Sequence, residues 1–195
     1  GGSVVARVNA DGTLDTTFDG PTGTANGKIL LDPSTSYDSA YDVSITATDK
    51  IVVAGRIRDM VTGKTEFGAV RLEVDGDYDA TFNSGAIKQF EIDDAASGQD
   101  AYIESVDVHA GKIYLGGYAY DGVGGGGADF AIAVLENDGD LDPTFDGDGT
   151  GLKSATALAY DYLSDIYVES DGKIVTLGTT SDPTALSNRT FVAIR

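Results

Sequence analysis

The chain has 195 residues, with 13 Lys and Arg against 32 Asp and Glu, and a formal net charge of −19. That balance excludes the basic footprint a phosphate backbone requires, and with it nucleic-acid binding. A hydrophobic content of 41% excludes an acidic disordered tail, and the absence of cysteine excludes disulfides and thiolate chemistry.

In chain order the first element is a strand from Val4 to Val8, followed by the turn-rich NADGTLDTTF ending at Phe18. Short runs rich in Val, Ile and Tyr then predict four strands, bounded by Asp-Gly, Gly-Lys and Ser/Thr/Gly clusters. They are Tyr41 to Thr46, Lys50 to Arg56, Phe67 to Val74 and Ile87 to Ile92. The first of these recurs near Ser105 to Val108 and again at Asp165 to Glu169. A short fourth-type strand is expected at Gly151 to Ser154, and the following ATALAY reads equally as extended chain or turn. The last strand, Phe191 to Arg195, repeats the type that opens the chain. No window of helical length carries an apolar stripe of 3.6-residue period, and no run of about 18 apolar residues suits membrane insertion. With no charged-then-apolar leader at its start, the segment reads as soluble and mature, or as excised from a longer chain.

The elements form an internal repeat. VARVNADGTLDTTF, AVRLEVDGDYDATF and AVLENDGDLDPTF end on Phe18, Phe82 and Phe145, which stand 64 and 63 residues apart. DKIVVAG from Asp49, GKIYLGG from Gly111 and GKIVTLG from Gly172 form a second anchor. Phe67, Phe130 and Phe191 form a third, so six of the seven phenylalanines mark the repeat. The copies span 4–66, 67–129 and 130–190, with a further copy starting at 191–195, all within one repeat domain. About four strands per copy is the size of one β-propeller blade. The fold class is therefore all-β: a propeller-like array of about three four-stranded blades, part of a larger ring or of one completed by a second copy, with a non-propeller stack as the alternative.

An apolar strand, then N-x-D-G-x-L-D-x-T-F, then D-G-K-I-V-V-A-G is similar to the delta-60 repeat. The likeness is strongest at Asn9 to Phe18 and Asp171 to Gly178; it departs where Tyr78 replaces leucine and where His109-Ala110-Gly111 shortens a turn. The resemblance implies a β-propeller from a large secreted or surface bacterial protein, and it carries no catalytic motif to transfer.

Two sets of residues qualify as sites. Asp138, Asp140 and Asp142 have the alternate spacing that opens a calcium loop, and Asp146 and Asp148 extend it. The sixth-position glycine is replaced by Pro143 and the twelfth-position glutamate by Gly149, and Asp-Gly is equally a hairpin signal. Both readings, Ca2+ ligand set and turn punctuation, stay open, with the tail Asp146 and Asp148 the most calcium-like part. The second set lies where the connection between second and third strands is long and differs among copies, as recognition loops do. There Tyr114, Tyr118 and Tyr120 could offer aromatic faces to a sugar or peptide, with Asp121 and Asp129 as polar partners; the favoured reading is that Tyr114 and Tyr118 belong to a half-buried strand and the glycines only make a turn. His109 is the lone histidine and sits beside a turn glycine, which gives a catalytic triad little to rest on.

The sequence thus points to a non-catalytic binding module of a secreted or surface adhesin-like protein, recognising a glycan or protein through blade loops. A structural or assembly spacer, self-associating through open sheet edges, is the alternative. A glycoside hydrolase on a propeller scaffold ranks last.

Overall fold

The computed structural model describes residues 2–22, 26–31, 38–92, 100–120, 127–147, 152–155, 160–181 and 189–194. It is all-β and propeller-like, with thirteen strands among the described residues. β1 (Ser3–Ala6) pairs with β2 (Lys28–Leu31). β3 (Ser39–Ile45), β4 (Ile51–Arg58), β5 (Thr65–Leu72) and β6 (Lys88–Phe90) form an antiparallel meander. β7 (Ala101–His109), β8 (Lys112–Tyr120), β9 (Ala128–Leu135) and β10 (Leu152–Ala155) form a second. β11 (Tyr160–Val168), β12 (Ile174–Ser181) and β13 (Arg189–Ile194) form a third, joined to β9 through one parallel pair, Tyr160 with Ala128.

Strand positions follow the expected order, but the innermost strands β7 and β11 begin four to five residues before the expected starts at Ser105 and Asp165. The reason is a bulge. Each innermost strand inserts one extra residue at the same repeat position, between Ala40 and Asp42, Ile103 and Ser105, and Leu163 and Asp165. A bulge flips the side-chain alternation, so the pattern that marks a strand breaks midway. It also explains the glycine that closes the second anchor. Gly55, Gly117 and Gly178 pair with the residue just before the bulge, and a Cβ at any of them would collide with the carbonyl of Ser39, Tyr102 or Tyr162. The expected turn at His109 is shorter too: His109 closes β7 by pairing with Lys112, leaving Ala110 and Gly111 as the turn.

The core runs between adjacent sheets. Phe18 packs with Ile29, Leu31, Val70 and Leu72, and Phe82 with Leu115, Ala133, Leu135 and Phe67. Burying each such side chain contributes about 1.5–3 kcal/mol. The joint between sheets has one form in both places. The Asp-Gly turn after β5 places Gly76 against the Phe18 ring, and the turn after β9 places Gly139 against Phe82. The Asp19 N–H donates to Asp75 O at 3.0 Å, and the Asn83 N–H to Asp138 O at 2.7 Å. Gly76 and Gly139 have φ of 98° and 91°, a region closed to most side chains.

Gly12 shares this backbone (φ 88°) but has no atom within 4 Å of a built Cβ. Valine at either Gly12 or Gly76 therefore meets the same backbone strain, while only Gly76→Val also overpacks Phe18. Chemical denaturation is expected to show Gly76→Val less stable than Gly12→Val by about 1–3 kcal/mol, and Phe82→Ala to cost about 3–5 kcal/mol; equal losses at the two glycines would refute the joint.

Candidate functional site

Antiparallel order sends the two predicted sets of residues to opposite ends of the strands. Tyr118 and Tyr120 close β8, whereas Asp138, Asp140, Asp142 and Asp146 follow the far end of its antiparallel neighbour β9.

At the aspartate end each copy builds the same clamp. Asp15, Asp79 and Asp142 accept hydrogen bonds from the backbone N–H and the hydroxyl of Thr17, Thr81 and Thr144, two residues on. Arg7 pairs with Asp15; Arg71 and Lys50 with Asp79; Lys112 with Asp142. Burial opposes ionisation of Asp79, but the Thr81 hydroxyl, Lys50, the Thr81 N–H and Arg71 outweigh it and hold the carboxyl well below its usual range. Lys112 and the Thr144 hydroxyl lower Asp142 to about 2. Asp138 accepts the Asp140 N–H in a tight turn, and Asp140 reaches Lys88 at 3.3 Å. Asp146 is half-buried; Asp148 lies outside the described residues. No group of three or more His, Asp or Glu that could hold a metal is found among the described residues.

The tyrosine end gathers more than the sequence suggested. Tyr102, opposite Tyr118 across β7 and β8, stacks on it with centroids 5.2 Å apart and planes at 20°. Tyr162 of β11 meets Tyr118 edge-on at 4.9 Å, and Tyr120 stands edge-on to both Tyr102 and Tyr118. Burial and the neighbouring Tyr162 push the Tyr120 hydroxyl up to about 12. Beside them the Arg56 guanidinium lies 3.8 Å over Tyr41 and 4.7 Å from the Tyr102 centroid, and it pairs with Glu104. Burial raises the Glu104 pKa against the pull of Arg56. Tyr41 and Glu104 are the bulge residues, so the bulge is what turns them toward this cluster. The connection after β4 leaves from the same end and exposes Met60 and Val61. Asp129 pairs with Ala119, so it lies on the face opposite Tyr118 and Tyr120, and it is buried. Asp121 is outside the described residues.

Sequence reasoning missed Tyr102, Tyr162, Tyr41, Arg56 and Glu104. The available signal was that Tyr102 and Tyr162 hold the same repeat position, two residues before the bulge. It also missed a meeting of innermost strands. The Ser105 hydroxyl lies 3.0 Å from Asp42 Oδ2 and 2.8 Å from Asp165 Oδ1. All three occupy the position just after the bulge. Asp42 also accepts the Val106 N–H and Asp107 the Val168 N–H, so carboxylates lace each innermost strand to the next.

A family described as "Domain of unknown function (DUF5122) beta-propeller" matches residues 1–18, 46–82 and 111–145. Each matched stretch ends on the phenylalanine of the Thr-Phe step, Phe18, Phe82 or Phe145, and the match supports a β-propeller repeat. Among solved structures the chain is similar to an endo-arabinase from Bacteroides thetaiotaomicron VPI-5482, with 11% identity and a TM-score of 0.47 over 88% of this chain and 61% of that one. It is also similar to an alpha-L-arabinofuranosidase from Lactobacillus brevis, with 12% identity and a TM-score of 0.42 over 86% and 56%. The chain thus spans less than two thirds of either. No curated protein matches the sequence.

The lowered Asp142 pKa fixes the sign of an acid response. A carboxylate depressed in the folded state stabilises above its unfolded pKa, and that contribution is lost as pH falls through the folded value. Unfolding free energies of the parent chain and Asp142→Asn should therefore converge between pH 3.8 and about 2, with the variant the less stable above that window; a gap independent of pH would refute the clamp. With Asp142 already held by Lys112 and Thr144, calcium and chelator should give equal melting midpoints. A rise with calcium that Asp146→Asn abolishes would place the ion at that carboxylate.

Proposed function

We propose that the chain is a non-catalytic binding module whose tyrosine-lined end recognises a glycan, within a secreted or surface-exposed bacterial protein of adhesin type. One observation carries this reading: four tyrosines from three strands gather beside an aromatic-flanked Arg56–Glu104 pair, at the end from which the long, variable connections leave. Aromatic faces suit the C–H faces of sugar rings, and a fixed guanidinium–carboxylate pair offers donors and acceptors to hydroxyls. The net charge of −19 disfavours anionic glycans and leaves neutral ones as the favoured class. A protein ligand reading the same surface would use the exposed Met60 and Val61 as its anchor.

Catalysis finds less support, because the carboxylates that the repeat brings together are already committed. Asp15, Asp79 and Asp142 are held in clamps, and Asp42 and Asp107 accept backbone N–H groups from neighbouring strands. The repeats of that module are of the delta-60 type.

An array of neutral and acidic oligosaccharides, followed by calorimetric titration of any hit, tests it. Tyr41→Ala and Tyr118→Ala are each expected to weaken binding by about five- to tenfold, since a lost stacking contact is worth about 1–1.5 kcal/mol. Asp140→Asn, at the opposite end, should leave binding unchanged. A ligand retained by both tyrosine variants, or lost in the Asp140 variant, overturns the assignment.

A further inference from the structure

The Arg56–Glu104 pair bridges two complete four-stranded units, β3 to β6 and β7 to β10. The Arg56 guanidinium rests against two aromatic rings, Tyr41 of its own sheet and Tyr102 of the next, and its side chain keeps 17% exposure. Of its five N–H groups, Nε–H donates to Ile103 O at 3.3 Å and one Nη2–H to Glu104 Oε1. A planar guanidinium held by stacking is suited to two-point contact with a carboxylate or sulfate. Glu104 supplies such a partner from within the protein. Burial costs this carboxylate more than Arg56 returns, since its pKa is raised in spite of the pairing. Equivalent positions in the next copies carry no such pair: Tyr118 and Thr179 stand in the place of Arg56, and Ser164 in that of Glu104.

Resting on the reading of this end as a glycan site, we propose that Glu104 determines its specificity: by occupying Arg56 it holds the site to neutral sugars and keeps carboxylate- and sulfate-bearing ones out. Two effects act together. Glu104 fills the guanidinium edge on which an anionic group would dock, and its own charge repels that group at close range. A withheld attraction and an added repulsion separate ligands of similar shape. Neutral hydroxyls lose little, because a paired carboxylate and guanidinium still present acceptors and donors to them. The net charge of −19 acts over longer distances and is screened by salt. A half-buried carboxylate in contact with Arg56 is screened far less, so exclusion that survives high salt belongs to Glu104.

Acid should act on the parent as loss of the carboxylate does. The groups that bear on Glu104 are Arg56 of β4 and Tyr118 of β8, with Tyr41 of β3 and Tyr102 of its own strand stacked on the guanidinium. Asp42 of β3 and Asp165 of β11 reach the adjacent Ser105 instead. Burial already favours the neutral carboxyl, and its protonation leaves Arg56 without a counter-charge.

Two variants test the proposal. Glu104→Gln keeps the shape and removes the charge, and Glu104→Ser installs the residue type that the third copy carries as Ser164. Parent and variants are compared on one array of uronate-bearing oligosaccharides and their neutral counterparts of equal length and linkage. Inorganic sulfate is titrated into each as a probe that needs no sugar. The parent should prefer the neutral member of each pair and show no saturable sulfate binding, at about 0.15 M and about 1 M sodium chloride alike. In both variants the ratio of acidic to neutral affinity should rise by about tenfold or more, as a hydrogen bond to a charged group supplies, and sulfate should bind. Adding Arg56→Gln to Glu104→Gln should abolish both gains. Sulfate should also begin to bind the parent as pH falls toward 4.5, while its binding to Glu104→Gln stays level over that range. The proposal falls if neither variant takes up sulfate, if the ratio is unchanged in both, or if the parent already prefers the acidic members. Equal loss of both classes also overturns it, being what a purely structural role would give. Sulfate bound by the variants through Arg56, with no glycan bound by any of them, leaves the exclusion standing and overturns the glycan reading alone.

Discussion

A buried carboxylate must be matched, and the matching of Asp79 holds the rest of this structure in place. Its side chain has no exposure, so an unpaired charge there would be prohibitive. Two donors of Thr81, a lysine just before β4 and an arginine from β5 converge on it. That convergence fixes the path of the chain from β5 into the Thr-Phe step. It presents Phe82 to the next sheet and aligns the Arg71 guanidinium over the Phe82 ring at 5.2 Å. Polar and apolar parts of the joint thus depend on each other: the ring is placed by the clamp, and the ring helps keep water from it.

The third copy shows how far the clamp can be reduced. Asp142 keeps its threonine and its lysine, Lys112, but Val134 stands where the arginine would. Lys112 is also shared with Glu136 at 3.1 Å, as Lys50 is with Glu73 at 2.9 Å. The threonine and one cation are therefore the minimum: among the described residues Arg7 alone serves Asp15, Lys112 alone serves Asp142, and Asp79 has both Lys50 and Arg71. The DxD runs are this clamp seen in one dimension. Their charge density invites a metal reading, yet the last aspartate of each run points at a cation of the protein itself.

The periodic parts of the design were legible because one residue type recurs for one reason. Phe18 and Phe82 recur because a turn glycine must lie on an aromatic ring, and Gly55, Gly117 and Gly178 because a bulged strand leaves no room for a Cβ. What was hidden depends on the bulge or on the meeting of sheets. The bulge moves the alternation out of phase, which concealed the first half of β7 and β11 and gave no hint that Tyr41 and Glu104 turn toward Arg56. Tyr118 and Tyr120 could be named from their place before a variable loop, but Tyr162 reaches them only through packing of β11 against its neighbour sheet. The direction of Asp129 likewise follows from its pairing with Ala119, a register that no single strand reveals.

The joint has a further consequence for growth. It is made between one copy and the next, by residues about one repeat apart, and it asks nothing of more distant parts of the chain. Stability in such arrays is close to a sum of unit and nearest-neighbour terms. Inserting a whole copy therefore adds one sealed ring and one clamp without disturbing those already made. Lengthening by duplication leaves every existing contact valid, and the divergent connections at the tyrosine end can vary copy by copy on a scaffold that need not be redesigned.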